Sequence, residues 1–449
     1  MRDRLRHPLV AVAVALGLTL PWIGTFAAYG GYGTVHPGDN IAPIAAVVVG
    51  GFAILGAAFL LAWAAETAEK DVPQAFAIAV LAVLAVAPEY AVDALYAWQA
   101  GAGSIEAGNL AVANMTGANR ILIGLGWSGI ALFSIYRAKR AHDPAVDHRS
   151  GFLADVVGLD RKIATEIAFL LAATVFAFMV PLGGGIGIVD TLVLVGLYVL
   201  YLLVIIRGDV EESEEHVGVP AYFQKYPTVP RIAVVLFGFA FSGAIIFTAV
   251  HPFAVGLERL GLQYGIPEFF MIQWLAPLAS ESPELIVVAY LVNKARSTAG
   301  FNALISSKLN QWTLLIGTLA VVYSLSAGAV GTLPFDEKQA AEIWITAAQS
   351  FFAIAILTNF EISIREAVAL LVLFVSQVLA EFYVIQTYTG AAETNVSMTI
   401  LYAYTAVYLV LGVGLFVRRR ESVARLATRT VSNARTAFET EGSHPERAD

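Results

Sequence analysis

Two Pro-Glu pairs interrupt apolar segments of the sequence, and their residue types suit cation binding. Pro88 and Glu89 lie in "VLAVAPEYAVDAL", and Pro283 and Glu284 lie in "PLASESPELIVVA". A charged side chain inside a membrane span costs roughly 2.5–3.5 kcal/mol on insertion scales, so it is a functional candidate by default. The alternative is that each Pro only kinks its helix and each Glu pairs with a basic residue.

The prolines would expose carbonyl oxygens close to these carboxylates. Because proline lacks an N–H, each one frees the carbonyl four residues before it, that of Leu84 or Ala279. In lipid, a freed carbonyl must be satisfied by protein, water or an ion. Carbonyl and carboxylate oxygens are the ligands that hard cations such as Ca²⁺ prefer. The pattern therefore predicts a site for Na⁺ or Ca²⁺ around the two glutamates.

Further polar residues in the same segments extend the set of candidate ligands. Glu281 lies three residues before Glu284, and Asp93 lies four after Glu89, so each could be a ligand, a proton carrier or a pore-lining charge. Neutral side chains could add ligand oxygens, although polar residues in spans also form hydrogen bonds between helices. These are Asn114, Thr116, Asn119, Ser306, Ser307, Asn310 and Gln311.

Two basic residues also fall inside apolar segments. Lys308 lies about two turns from the start of its span, which favours snorkelling to the membrane surface over a role as a stand-in for one bound cation. Arg120 lies deeper and is expected to pair with a carboxylate. Glu342, Glu366 and Glu381 are expected to be pairing or boundary residues.

The composition indicates a polytopic membrane protein. Of the 449 residues, 58% are hydrophobic and 14% are charged, and the mean hydropathy is +0.71. Soluble proteins carry about 25% charged residues. The absence of cysteine excludes disulfides and thiolate metal sites. The expected partners are the lipid bilayer and transported inorganic cations, with no cofactor and no nucleic acid. The oligomeric state is open.

Apolar segments of about 20 residues predict an all-α protein with twelve membrane spans. They cover residues 8–28, 42–66, 72–100, 108–136, 163–180, 186–206, 231–250, 265–293, 301–327, 338–358, 362–388 and 394–417. The first is predicted to be a span rather than a signal peptide, because it continues to about Ala28 without a cleavage site. "PLGGG" at 181–185 is predicted to be a tight loop.

The distribution of basic residues predicts the orientation. If the N-terminus is cytoplasmic, all but four of the 27 Lys and Arg residues fall on the cytoplasmic side. The exceptions are Arg259 and Lys338 outside and Arg120 and Lys308 within spans. Both termini are therefore predicted to be cytoplasmic, and the protein is predicted to lie in the cell membrane.

An internal repeat divides the chain into two halves. "APEYAVDALYAW" corresponds to "SPELIVVAYLVN", and "GNLAVANMTGANRILIG" to "FNALISSKLNQWTLLIG" with four identities. The corresponding spans run in opposite directions, as in many transporters with midplane sites.

The repeat and the flanking spans divide the chain into six parts. They are an extra span with an outer loop (1–41), a first half (42–206, repeat about 72–136), an acidic cytoplasmic linker (207–230), a second half (231–388, repeat about 265–327), an extra span (389–417) and a cytoplasmic tail (418–449). The tail could lie as a helix along the membrane or be a solvated stub.

At these residues the chain resembles the cation/Ca²⁺ antiporter superfamily, the Na⁺/Ca²⁺ exchanger-like membrane proteins. That family has ten core helices in two inverted halves, each with a G-[ST]-[ST]-x-P-[ED] helix and a G-N-x-x-G-S-N-like helix. The resemblance implies that Glu89 and Glu284 are the acidic ligands. It also implies ligand positions at Ser280, Ser306 and Asn310.

The first repeat departs from the family pattern, although its opening Gly108-Asn109 matches. Residues without a side-chain oxygen stand at the family's hydroxyl and amide positions, namely Ala85, Val86, Ala113 and Gly117. In the second repeat, Glu281 replaces the second hydroxyl. These departures imply fewer bound ions than in a typical exchanger, or H⁺ coupling instead of Na⁺ coupling.

The function predicted first is therefore a secondary-active antiporter that exchanges Ca²⁺ for Na⁺ by alternating access around a midplane carboxylate site. The alternatives are an H⁺-coupled exchanger, a cation channel, and a homologue without exchange activity. An intramembrane zinc hydrolase is disfavoured, because the 7 His residues do not cluster in spans and no His-Glu-x-x-His motif is present.

Overall fold

The computed structural model describes residues 7–28, 41–68, 70–71, 87–140, 142–207 and 218–439. Within these ranges the chain is mainly helical. The helices are α1 Pro8–Ala28, α2 Pro43–Ala68, α3 Ala87–Gly101, α4 Ile105–Ile121, α5 Ser128–Ala138, α6 Ala164–Ala177, α7 Ile188–Arg207, α8 Val219–Phe223, α9 Thr228–Tyr264, α10 Glu268–Asn293, α11 Ser297–Asn310, α12 Ile316–Ala327, α13 Glu337–Leu357, α14 Ile364–Thr387, α15 Ala391–Arg418 and α16 Arg420–Glu439.

Nine helical segments in the described residues are long and apolar enough to cross a membrane, as expected for a polytopic protein. The other three predicted spans, 72–100, 265–293 and 301–327, overlap α3, α10 and the α11–α12 segment. Residues 72–86, which include Leu84, lie outside the described residues. The full arrangement of twelve spans in two inverted halves stays a prediction.

The predicted end of the seventh span at residue 250 was wrong. Helix α9 continues through Pro252 to Tyr264. Proline removes one backbone donor, but membrane helices tolerate it because neighbouring groups satisfy the freed carbonyl. Helix α10 is likewise unbroken across Pro283. The predicted loop at 181–185 is confirmed, since a 3₁₀ turn at Val180–Gly183 leads into Gly184 with a left-handed backbone.

Several helices begin at a short polar residue whose side chain accepts a hydrogen bond from the first turn. Ser104 accepts a hydrogen bond from the backbone of α4 and Asp336 from that of α13. Ser363 and Glu366 form a reciprocal capping box at the start of α14. Glu366 also pairs with Arg419, so its predicted role as a boundary or pairing residue is confirmed.

Each Pro-Glu helix packs against helices of both halves of the chain. Helix α3 contacts α4 of its own half and α12 of the other, while α10 contacts α11 and α4. A two-fold symmetric relation between the halves would give each Pro-Glu helix one neighbour in its own half and one in the other half. Helices α2 and α9 also pack together, and small residues allow their close approach: Gly256 lies against Ala46 and Gly238 against Ala64.

Short strands join loops that are predicted to lie on the same side of the membrane. They are β1 Val146–Asp147, β2 Val156–Gly158, β3 Gly185–Ile186, β4 Leu333–Pro334 and β5 Glu361–Ser363. Strand β2 pairs antiparallel with β1 and β5, which belong to loops predicted to be cytoplasmic. Strand β3 pairs with β4, and both belong to loops predicted to be outside. The pairings agree with the predicted order of spans.

Asp155, just before β2, makes part of the stability of this sheet dependent on pH. His148 donates to Asp155 at 3.0 Å, and this hydrogen bond lowers the pKa of the Asp155 carboxyl below its ordinary value. A depressed folded-state pKa adds stability above the unfolded-state value of about 3.9, and that stability is lost as the pH falls through the folded-state pKa. We therefore expect Asp155→Asn to lower the thermal unfolding midpoint at pH 7 and to have a progressively smaller effect as the pH falls below about 3.9. An effect that stays the same as the pH is lowered would contradict this expectation.

Candidate cation site

Gln311 joins acidic residues from the two halves of the chain. Its Nε2 donates to Oε2 of Glu89 at 2.9 Å and to Oε1 of Glu281 at 2.6 Å. The two carboxyl groups also interact directly with each other. All three side chains are at most 3% exposed. The predicted ligand Glu89 thus lies beside Glu281, and the amide of Gln311 bridges them.

Glu284 belongs to the same group of side chains. Its Oε2 accepts a hydrogen bond from the hydroxyl of Ser307 at 2.8 Å, and that hydroxyl lies 3.5 Å from Nε2 of Gln311. Glu284 is half-buried, in contrast to Glu89 and Glu281. Helix α11 and the π-helical turn that follows it, Gln311–Leu315, therefore hold all three glutamates through one hydroxyl and one amide.

The prediction that Lys308 snorkels to the membrane surface was wrong. Its side chain is 0% exposed, and its Nζ donates to Oδ1 of Asn119 at 2.6 Å and lies 4.3 Å from the centre of the Trp312 ring. The positive charge acts on Glu89 and Glu281. Lys308 points inward because Asn119 and Trp312 give its ammonium group partners inside the protein, which the position of Lys308 in its span does not reveal.

Asp93 and Asn114 form a second polar contact one turn along α3. The Nδ2 of Asn114 donates to Oδ1 of Asp93 at 2.8 Å. The other carboxylate oxygen of Asp93 and the carbonyl oxygen of Asn114 are buried without a hydrogen-bond partner among the described residues. Both side chains are 1% exposed. Two candidate ligands from the first repeat thus meet, and each keeps a ligand oxygen available.

Three predicted ligands make contacts away from the glutamates. Ser280 donates to carbonyl oxygens of its own helix, those of Ala276 and Pro277. The side chain of Ser306 interacts with that of Tyr201 of α7. Oδ1 of Asn310 accepts from the hydroxyl of Tyr90 at 3.0 Å, so it connects α11 to the residue next to Glu89. Cation binding by these residues stays a prediction.

The sequence did not identify Gln273 as part of this region. Its side chain is 0% exposed, and neither of its polar atoms has a hydrogen-bond partner among the described residues. The carbonyl oxygen of the same residue packs on Gly117, one of the positions where the first repeat departs from the family pattern. An amide within the apolar "MIQWLAPLA" was the available signal.

Gly117 lets α4 and α10 approach each other at the site, and enlarging it should destabilise the protein. A methyl group at this position would overlap the carbonyl oxygen of Gln273, which cannot move without shifting α10. We expect Gly117→Ala to cost about 1–3 kcal/mol, as overpacking of a tight interior does. Thermal unfolding of the purified protein measures the loss. Gly129→Ala is the matched control, because a methyl group there meets nothing within 4 Å. An unfolding midpoint no lower for Gly117→Ala than for the control would contradict the expectation.

A second buried polar group lies between α4, α13 and α14. Arg120 forms an ion pair with Glu342 and donates to Gln377, which confirms the prediction that it pairs with a carboxylate. The guanidinium carbon also lies 4.9 Å from the centre of the Trp274 ring. Glu381 lies beside Glu342, but neither of its carboxylate oxygens has a hydrogen-bond partner among the described residues, so the pairing of Glu381 stays a prediction. These contacts hold α4, which carries Asn114 and Asn119, in a fixed position.

No three His, Asp or Glu side chains in the described part of the chain are arranged to hold a metal ion together. The glutamates instead face the donor groups of Gln311 and Ser307. Ca²⁺ takes 6–8 oxygen ligands in flexible arrangements. If the amide of Gln311 turned, its carbonyl oxygen, which is buried and has no described partner, would face the carboxylates as a ligand. The arrangement can thus bind either protons or a metal cation.

Comparisons with known proteins place these features in context. The profile of the family described as sodium/calcium exchanger protein matches residues 42–207 and 234–383. A solved structure described as the H⁺/Ca²⁺ exchanger CAX is 40% identical, with a TM-score of 0.82 over 96% of this chain and 98% of that chain. The Ca²⁺/H⁺ antiporter protein YfkE is 14% identical, with a TM-score of 0.57 over 83% of this chain and 98% of that chain. Curated protein sequences include no significant match.

Proposed function

Because the chain belongs to the sodium/calcium exchanger protein family, whose profile matches both halves, we propose that it exchanges Ca²⁺ for H⁺ across the cell membrane. Membership of this family makes the chain an integral membrane transporter rather than an enzyme. The proposal includes the two inverted halves and the cytoplasmic placement of both termini. Alternating access to the site from the two sides would then move the ions in opposite directions.

The observation that carries the proposal is the bridge between the halves made by Gln311. Glu89 and Glu281 lie together in a buried place, and Lys308 is the buried base that acts on both. Burying an uncompensated charge costs several kcal/mol, so these two carboxylates and Glu284, together with one ammonium group, favour binding two further positive charges, as protons or as one Ca²⁺. Protons and Ca²⁺ would need the same carboxylate oxygens. Binding of one therefore displaces the other, which is the basis of exchange.

H⁺ coupling is preferred to Na⁺ coupling for two reasons. A proton needs one carboxylate oxygen, whereas Na⁺ needs several oxygen ligands, and the first repeat has Ala113 and Gly117 at two positions where the family carries side-chain oxygens. The similarity to an H⁺/Ca²⁺ exchanger at 40% identity supports the same choice. Na⁺-coupled exchange, the function predicted first from the sequence, is the competing outcome of the experiment below.

The test is ⁴⁵Ca²⁺ uptake by proteoliposomes under two separate gradients. One set carries an outward H⁺ gradient in Na⁺-free buffer, and the other carries an outward Na⁺ gradient at equal pH on both sides. We expect the H⁺ gradient to drive uptake above the Ca²⁺ equilibrium level and the Na⁺ gradient to leave it unchanged. Uptake driven by Na⁺ alone would establish Na⁺ coupling. Flux that only equilibrates Ca²⁺ would indicate a channel.

A further inference from the structure

A cavity lined by arginines lies where α16 meets the ends of two membrane helices. Its volume is about 230 Å³. Arg161, at the start of the span that contains α6, lines one part, and Arg425 and Arg429 of α16 line another. Ser422 and Asn359 supply polar groups between them. We call this space the arginine cavity.

Among the residues that the structure describes, the three arginines of the arginine cavity have no acidic partner. None of them forms an ion pair with a carboxylate in the described part of the chain. Arg425 donates to the hydroxyl of Ser422 at 2.9 Å, which leaves the proton of that hydroxyl available to a ligand. Three guanidinium groups around one space repel each other, and a bound anion would offset this repulsion.

Packing against α6 fixes the position of α16, the helix that carries Arg425 and Arg429. Leu426 is 3% exposed, the hydroxyl of Thr430 donates to the carbonyl of Ala164 at 3.1 Å, and Asn433 donates to Thr165 at 3.1 Å. Arg425 and Arg429 are four residues apart and so project from the same face of the helix. The tail is thus a helix docked on α6, and its arginines line the cavity while their side chains stay exposed to solvent.

The C-terminal end of α13, which lies next to the arginine cavity, does not repel a bound anion. The carbonyl groups at the end of α13 carry partial negative charge, but Arg419 donates to those of Ala355 and Ile356 and to the side chain of Asn359. The negative end of α13 is therefore already compensated. The charge facing the arginine cavity is positive.

We propose that the arginine cavity binds a phosphate group. Arginine forks match phosphate oxygens geometrically, and hydroxyl and amide donors complete such sites. The volume is several times the roughly 30 Å³ share of one liquid water, enough for a phosphate with its ester substituents. The cavity lies at the ends of membrane spans, the level of lipid head groups, and basic pockets between helices at this level bind anionic lipids. The phosphate of an anionic phospholipid and a free phosphate have the same chemistry, and the experiment separates them.

The experiment measures the thermal unfolding midpoint of the full-length protein in neutral detergent during titration with each probe. One arm uses potassium phosphate against potassium chloride at equal ionic strength, and the other uses short-chain phosphatidylglycerol. A ligand that binds only the folded protein raises the midpoint with concentration. We expect Arg425→Gln/Arg429→Gln to raise the probe concentration needed by about tenfold or more, because two charge-assisted contacts are lost. Arg418→Gln/Arg420→Gln, which removes the same charge outside the cavity, should leave it unchanged.

Each outcome decides the proposal. Stabilisation by phosphatidylglycerol alone supports a lipid phosphate, and stabilisation by inorganic phosphate that competes with the lipid supports a free phosphate. Arg161→Gln, on the other side of the cavity, should weaken binding of the same probe. This variant provides the test if the α16 double variant does not fold. No stabilisation by either probe, equal weakening in the two double variants, or unchanged binding by Arg161→Gln would overturn the proposal.

Discussion

Proteoliposomes with the Glu89→Gln variant are expected to lose gradient-driven Ca²⁺ uptake by at least about 100-fold, because loss of even an outer-shell partner of a metal ligand costs about 10–100-fold. Glutamine has the shape of glutamate, and its carbonyl oxygen can still accept the hydrogen bond from Gln311 that now measures 2.9 Å. The substitution therefore removes the charge and the titratable proton while it preserves the contact between the halves. Uptake of ⁴⁵Ca²⁺ under an outward H⁺ gradient is the measurement.

The control for Glu89→Gln is Glu106→Gln in the first turn of α4. Glu106 is exposed, in contrast to Glu89, which is 1% exposed, so the same chemical change there should leave uptake intact. Size-exclusion chromatography and the unfolding midpoint show whether both variants fold. Normal exchange by folded Glu89→Gln would remove Glu89 from the site. The same comparison with Glu281→Gln tests the acidic residue that replaces the family's hydroxyl.

Much of the fold was predictable because a membrane restricts the choice of structure. Spanning segments must satisfy their own backbone groups, so long apolar runs predict helices with little ambiguity. Charge is costly in those runs, which is why Glu89 and Glu284 could be identified as candidates without the structure. The pairing of Arg120 followed from the same cost. The length of α9 was not predictable in this way, since Pro252 has the sequence signature of a helix end.

The contacts that assemble the site depend on three-dimensional packing. An amide in a span is more often a link between helices than a ligand, so Gln311 had no distinguishing feature in the sequence. It bridges Glu89 and Glu281 because Gln311 lies in the turn between α11, which packs on α10, and α12, which packs on α3. Gly117 first looked like the loss of a ligand, whereas its contact with the carbonyl of Gln273 shows that a larger residue would not fit there.

Because the Lys308 side chain points into the protein, its substitution should change the ratio of protons to Ca²⁺ in the exchange. We expect Lys308→Met to increase the number of protons exchanged per Ca²⁺ by about one, because the carboxylates lose the ammonium group beside them and buried carboxylates are costly to leave uncompensated. Methionine keeps the apolar stem and a favourable contact with the Trp312 ring, so packing changes little. The coupling ratio follows from the pH gradient at which net ⁴⁵Ca²⁺ flux stops for a fixed Ca²⁺ gradient. Lys139→Met, an exposed lysine, should give the wild-type balance point. An unchanged balance point for Lys308→Met would show that Lys308 only holds Asn119 and does not take the place of a transported cation.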